Sequence, residues 1–189
     1  MPLQPADVEQ VFREAGALLE GHFVLTSGQH SARYLEKFRV FAKPRLTERL
    51  CTGIVERVRG REIDSVAGPT TGGLLLAHEV ARQLGSRALY AEREDGRRAF
   101  RRGQALARGE RVLVVDDILS TGGSVRETID AARAAGAAVL AAAVLVDRSG
   151  GLRLDVPLEA LWTTAVETFA PESCPLCRAG VPKTKPGSG

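Results

Sequence analysis

Val112-Leu113-Val114-Val115-Asp116-Asp117-Ile118-Leu119-Ser120-Thr121-Gly122-Gly123-Ser124 joins an apolar strand, two adjacent carboxylates and a loop of small and hydroxyl residues. Four successive β-branched or Leu residues suit a strand buried on both faces of a parallel sheet, and Thr128 to Ala135 reads as the helix that follows. The loop therefore lies at a strand-to-helix switch. There Gly122 and Gly123 allow close backbone approach, the helix start offers unpaired N–H groups, and the hydroxyls of Ser120, Thr121 and Ser124 can wrap a monophosphate. Phosphate explains the loop but not the acids. A carboxylate pair repels a phosphate unless something lies between them; vicinal ribose hydroxyls, donating to Asp116 and Asp117, fill that place, and magnesium relieves the repulsion further. A strand ending in Asp-Asp is also compatible with a metal site on another doubly wound fold, or with a solvated strand end.

The run resembles the motif of the type I phosphoribosyltransferases. That resemblance implies that Asp116 and Asp117 hold the ribose hydroxyls of phosphoribosyl pyrophosphate. It also implies that Ile118, Leu119, Ser120, Thr121, Gly122, Gly123 and Ser124 hold its 5-phosphate, with magnesium as the cofactor and no side chain assigned as a direct metal ligand. Competing nucleotide motifs fail: no Gly-Lys-Ser/Thr closes a P-loop, and Gly68-Pro69-Thr70-Thr71-Gly72-Gly73 is not the dinucleotide fingerprint.

Outward from this run the pattern is regular. Pro5 to Leu19 reads as an opening helix, with Val8, Val11, Phe12, Ala15, Leu18 and Leu19 at helical spacing. Phe23 to Thr26 and Arg33 to Phe41 flank the turn Ser27-Gly28-Gln29-His30-Ser31 and predict a strand pair at an edge; Pro44 to Val58 is then helical. From Ile63 onward strand and helix alternate: Val66 with Gly72 to Leu84, Ala88 to Ala91, Val112 to Val115 with Gly123 to Ala135, and Val139 to Val146. Such alternation predicts an α/β fold, a doubly wound and mainly parallel sheet with flanking helices and a small N-terminal hood. Ligands of these sheets lie at the carboxyl ends of the strands, where Gly68 to Gly73, Glu92 to Gly103, Asp116 to Ser124 and Asp147 to Gly151 all fall.

Composition sets the bounds. A chain of 189 residues, 44% hydrophobic, suits one domain, with a hood over about residues 1–43 and a Pro-, Gly- and Lys-rich tail over about 171–189 whose last residues are expected to fray. The net charge of +3 is too small to imply nucleic acid, although Arg93, Arg97, Arg98, Arg101, Arg102 and Arg108 crowd one stretch. No apolar run approaches a membrane span, and Met1 to Gln10 is polar, so a soluble cytoplasmic protein is expected. Three cysteines occur. Cys174-Pro175-Leu176-Cys177 has the spacing of a zinc knuckle, but a closed structural zinc needs four ligands, so one chain would require Cys51 and a histidine, or two chains would pool their knuckles. The default reading is a pair of reduced thiols in a tail loop.

Two further loops carry chemistry. Thr70, Thr71, Gly72 and Gly73 follow a Pro-fixed strand end and open a helix, a second anion cradle suited to the pyrophosphate at the far side of the ribose; the plainer alternative is an ordinary strand-to-helix turn. Glu92 to Gly103 reads as an exposed, mobile connection able to act as a lid, in which Arg93 and Arg97 are expected to meet the pyrophosphate; a solvated charge run or hairpin is the bland alternative, and the detailed contacts of Arg97, Arg98, Arg101 and Arg102 stay open.

The segment Gly21 to Ser31, an apolar strand followed by Ser-Gly-x-x-Ser and the aromatic Tyr34, resembles the N-terminal strand and turn of orotate phosphoribosyltransferases. Arg148, after Val146-Asp147, matches that family's base-binding arginine, and a planar guanidinium suits a planar anionic pyrimidine. The resemblance spans about residues 20–150. It implies that Ser27, Tyr34, Ser120 and Arg148 bind orotate, that Arg93 joins Asp116 and Asp117 in catalysis, and that the chain makes orotidine 5'-monophosphate and pyrophosphate for pyrimidine synthesis. It further implies a homodimer in which one subunit's lid reaches the other's site. Alternatives are a phosphoribosyltransferase for another base, or a regulator that binds phosphoribosyl pyrophosphate without using it. Thr26 stands where many of these enzymes carry a lysine before the turn, with Lys37 as the substitute at hand, and the lid is arginine-rich and lacks histidine.

Overall fold

The computed structural model describes residues 3–186, which leaves the expected fraying of the last three residues outside the described range. Helix α1 (Pro5–Glu14) leads into a hood hairpin, β1 (Leu18–Val24) and β2 (His30–Leu35), followed by a short helix α2 (Phe38–Phe41) and α3 (Pro44–Arg57). The main sheet is built from β3 (Ser65–Pro69), β4 (Arg87–Glu94), β5 (Arg97–Phe100), β6 (Arg111–Leu119), β7 (Ala138–Asp147) and β8 (Leu158–Thr163). Its crossover helices are α4 (Gly72–Leu84) and α5 (Gly123–Ala134), and the tail carries a 3-10 turn (Pro171–Ser173) and helix α6 (Pro175–Arg178).

Strand order is β5-β4-β3-β6-β7-β8, every neighbour parallel except the antiparallel β4–β5 pair. The expected doubly wound α/β fold is what forms. Alternate residues of β6 serve opposite cores: Leu113 and Val115 join the cluster under α1, α3 and α4, whereas Val112 and Val114 join the one under α5. That two-sided burial is why the run carries no polar alternation. After β3 the chain winds outward to β4, then returns to place β6 on β3's other side, so the order reverses between β3 and β6. The loops leaving these two strands are therefore neighbours, which is where an open α/β sheet holds its ligand.

Four local readings need correction. Helix α1 stops at Glu14 because Gly16 turns the chain with φ +66°, and Leu18 and Leu19 begin β1. Strand β2 ends at Leu35, and Phe38–Phe41 is helical. Strand β8, half-buried at the edge, extends the sheet beyond Val146. The Glu92–Gly103 connection is a hairpin: Asp95 (φ +47°) and Gly96 (φ +79°) make the tight turn between β4 and β5, and β5 lies beside α5.

Candidate active site

Strand β6 carries both acids into the switch point and buries them. Asp116 is 8% exposed and Asp117 3%. The Asp117 N–H donates to Asp116 Oδ1 at 2.8 Å, and the Ile118 N–H donates to Asp117 Oδ1 at 2.7 Å. Lys37, at the start of α2, donates from Nζ to the same Asp117 Oδ1 at 2.8 Å. Asp117 Oδ2 is buried with no hydrogen-bond partner among the described residues. Burial raises the Asp116 carboxyl to about 7, Asp117 adding to the effect as a like charge and the Asp117 N–H, Lys37 and Arg98 opposing it. A site that holds two carboxylates this dry is suited to hydroxyl donors and a cation.

The two glycine-rich turns expected to hold anions meet at this pair. A Cβ at Gly72 would overlap Asp117 Oδ2, and one at Gly68 would overlap the carbonyl oxygen of Gly73, so the β3–α4 turn closes onto the acids only with glycine at both positions. The Thr70–Thr71 peptide bond is cis. On the other side, Gly122 caps α5 with φ +77°, and Asp116, Ile118, Leu119, Ser120, Thr121, Gly122, Gly123 and Ser124 line one hollow at the start of α5. The sequence motif is thus a single continuous cradle in space.

The arginines divide by role. Arg98 is buried against the cradle: Nη2 donates to Ser124 Oγ at 3.2 Å, Nη1 to the Ala91 carbonyl at 3.0 Å, and Nε, with no hydrogen bond, lies 3.5 Å from Glu127 Oε2. Burial lowers its pKa, with Glu127 opposing, yet a guanidinium remains charged. Arg93, its register partner across the hairpin, donates to both Glu127 oxygens at 2.8 Å from a half-exposed side chain. Arg97 is exposed next to the hairpin turn, and Arg101 and Arg102 pair with Glu94 and Glu92. Sequence reasoning left Arg98 unassigned and passed over Glu127. The available signal was Asp95-Gly96, a hairpin turn that sets residue 98 opposite residue 93 and hence on the same face.

The residues expected to bind orotate are more dispersed. Ser27 sits in the exposed β1–β2 turn, where its Oγ accepts from the Gln29 N–H at 3.4 Å. Tyr34 packs on Phe23 with ring centroids 5.7 Å apart and borders a hollow shared with Leu18, Arg33 and Trp162, apart from the hollow at the start of α5. Arg148 leaves β7 with its N–H on the Leu119 carbonyl at 2.9 Å, beside the cradle's entry. Cys51 is not near the tail cysteines: it is buried in α3, where desolvation raises its thiol to about 12. The neighbours of Cys174 and Cys177 are His22 and His30 of the same chain, not Cys51.

Residues 43–157 match the family described as the Phosphoribosyl transferase domain. The chain is 49% identical over 180 residues to the orotate phosphoribosyltransferase of Caldicellulosiruptor bescii, spanning 95% of each chain. It is also 49% identical over 183 residues to that of Pelotomaculum thermopropionicum, spanning 96% of each. Among solved structures, the orotate phosphoribosyltransferase from Aeropyrum pernix superposes with a TM-score of 0.69 at 31% identity, covering 82% of this chain and 93% of that one.

Proposed function

The chain belongs to the orotate phosphoribosyltransferase family, and from that premise we propose that its cleft joins orotate to phosphoribosyl pyrophosphate, releasing pyrophosphate and orotidine 5'-monophosphate. The observation that carries this reading is the convergence of Asp116, Asp117, the Gly72 turn and the Ser120–Ser124 cradle at one switch point. One substrate needs all of it. The 5-phosphate sits on the α5 start with Arg98 behind it, the ribose hydroxyls donate to Asp116 and Asp117, and the pyrophosphate lies on Thr70, Thr71, Gly72 and Gly73. The bond from ribose C1 to the pyrophosphate oxygen breaks as the bond to the orotate ring nitrogen forms. That nitrogen reacts as an anion, so no strong base is required, and catalysis comes from alignment and from stabilising an oxocarbenium-like sugar.

Magnesium fits this site, because the orphaned Asp117 Oδ2 and the raised Asp116 carboxyl both ask for positive charge. Asp116 and Asp117 are the residues that would hold it, through the sugar hydroxyls they bind. When bound, it supplies charge against the leaving pyrophosphate. Lys37 holds Asp117 Oδ1 in place and fills the cationic role that Thr26 does not. Arg93 and Arg97 meet the pyrophosphate, and Ser27, Tyr34, Ser120 and Arg148 take the base. The reading includes a homodimer whose hairpin reaches the neighbouring site, and a cytoplasmic setting in keeping with three cysteines that form no disulfide. No helix among the described residues is long and apolar enough to cross a membrane. The deciding assay compares product formation from orotate, adenine, guanine, xanthine and uracil: orotate alone should turn over, and use of a purine with none of orotate overturns the proposal.

A further inference from the structure

We infer that His22, His30, Cys174 and Cys177 form a tetrahedral zinc site that clamps the C-terminal tail onto the hood hairpin. Their candidate ligand atoms all lie within 4.8 Å of one another, and three of the four residues are buried. Zinc bonds of about 2.3 Å to sulfur and about 2.0–2.1 Å to nitrogen, at tetrahedral angles, require S···N separations of about 3.6 Å and N···N of about 3.3 Å. The observed separations are 3.6 Å from Cys174 Sγ to His22 Nε2, 3.7 Å from Cys177 Sγ to His22 Nε2, 3.3 Å from Cys177 Sγ to His30 Nδ1, and 2.9 Å between His22 Nε2 and His30 Nδ1. These four separations lie within a few tenths of an ångström of those values, and the two remaining pairs lie within 4.8 Å.

The surroundings prepare the ligands. The outer nitrogen of His22, Nδ1, lies 2.8 Å from the Val181 carbonyl oxygen and donates to it, which leaves the lone pair on the inward Nε2, the usual outer-shell support of a metal-bound imidazole. The two cysteines are one short turn apart at the start of α6, in the knuckle spacing. Backbone bonds align the halves: the Thr184 N–H donates to the His22 carbonyl at 2.7 Å, the Val24 N–H to the Thr184 carbonyl at 2.9 Å, and His30 and Phe169 exchange both bonds at 2.8 Å. Two thiolates and two imidazoles select zinc over magnesium or calcium, which prefer oxygen donors. Four protein ligands leave no open position, so the site is structural. Its position has a consequence for the hood, since His22 and His30 flank the turn that carries Ser27, and the metal would fix both arms of that turn at once.

The test is metal content. Protein purified under reducing conditions without chelator should contain about one zinc per chain, Cys51→Ser should keep it, and Cys177→Ser and His30→Ala should each lose it. Metal-free wild-type chain titrated with cobalt should develop thiolate-to-cobalt charge-transfer absorption and intense tetrahedral d–d bands that saturate at about one equivalent. Restoring zinc should raise Tm by about 10 °C. Wild-type protein with no bound zinc and no cobalt bands overturns the site, leaving a hydrogen-bonded histidine pair beside two thiols; so does full zinc in both ligand variants. The cobalt titration uses the intact chain, so it decides even where a variant fails to fold, and neither readout depends on orotate turnover.

Discussion

The cleft at the carboxyl ends of β3 and β6 and the knot where the tail meets the hood both bury polar side chains, but they are assembled from different distances. In the cleft, Asp116 to Ser124 are consecutive residues on one strand and its loop, and the fold adds only the neighbouring turn, Lys37 and Arg98. In the knot, His22 and His30 meet Cys174 and Cys177 from about 150 positions away. The first is a local motif that the fold completes. The second exists only once the chain ends have met. Substitutions in the cleft should therefore change chemistry with little effect on folding, and substitutions in the knot the reverse.

The largest effect tests that division directly. Asp116→Asn combined with Asp117→Asn should lower kcat/KM by about 1,000-fold, with Tm nearly unchanged at about pH 5.5, because the charge-assisted bonds to the ribose weaken while shape is kept. Near-normal turnover would reduce the acids to a strand end. The same variant serves the dimer proposal: mixed with Arg93→Ala subunits, it should regain about a quarter of wild-type activity if hairpins act across the interface. Mixed dimers, confirmed by mass, that regain none would show that Arg93 acts within its own subunit, beside its own Glu127. Arg98→Met comes next. With the buried cation removed from behind Ser124, KM for phosphoribosyl pyrophosphate should rise by about 30-fold with a smaller change in kcat, matching about 2 kcal/mol for a charge-assisted contact.

The third prediction concerns pH. Because the folded Asp116 carboxyl is raised to about 7, its protonated form favours the native state; the contribution is fully present below the unfolded value near 4 and is lost as pH rises through 7. In magnesium-free buffer, urea unfolding should show the native state about 2 kcal/mol more stable at about pH 5.5 than at about pH 8 on this residue's account, and Asp116→Asn should remove that difference. A pH dependence unchanged by the substitution would show that other groups set it. The smallest effect links the two regions. Removing metal from the knot should raise KM for orotate by about threefold, through a looser Ser27 turn, and leave KM for phosphoribosyl pyrophosphate alone. An equal rise in both would mean that the knot supports the whole fold rather than the hood.

How much was legible follows the same division. The four-residue apolar run of β6 and the strand–helix alternation report two-sided burial in a parallel sheet, and the glycines and hydroxyls at the switch report a tight strand-to-helix turn lining one hollow, since each is a requirement of adjacent backbone. Strand β5 was harder, because charged residues on both sides of Asp95-Gly96 hide any alternation. The start of β1 was misread because Leu18 and Leu19 continue a helical spacing that Gly16 had already ended.

By itself, then, the sequence determined the parallel core of the sheet, the order of its loops and the strand-to-helix turn at Asp116–Ser124, all properties of near neighbours along the chain. Only the tertiary structure decided that Lys37 pairs with Asp117 from 80 residues away, that Arg98 rather than Arg101 or Arg102 backs Ser124, and that His22 and His30 rather than Cys51 face the tail cysteines. The reason is physical. Dihedral preference and hydrophobic period act over one or two turns, whereas the partner of a buried charge or ligand is chosen by packing between segments whose separation along the chain carries no local trace.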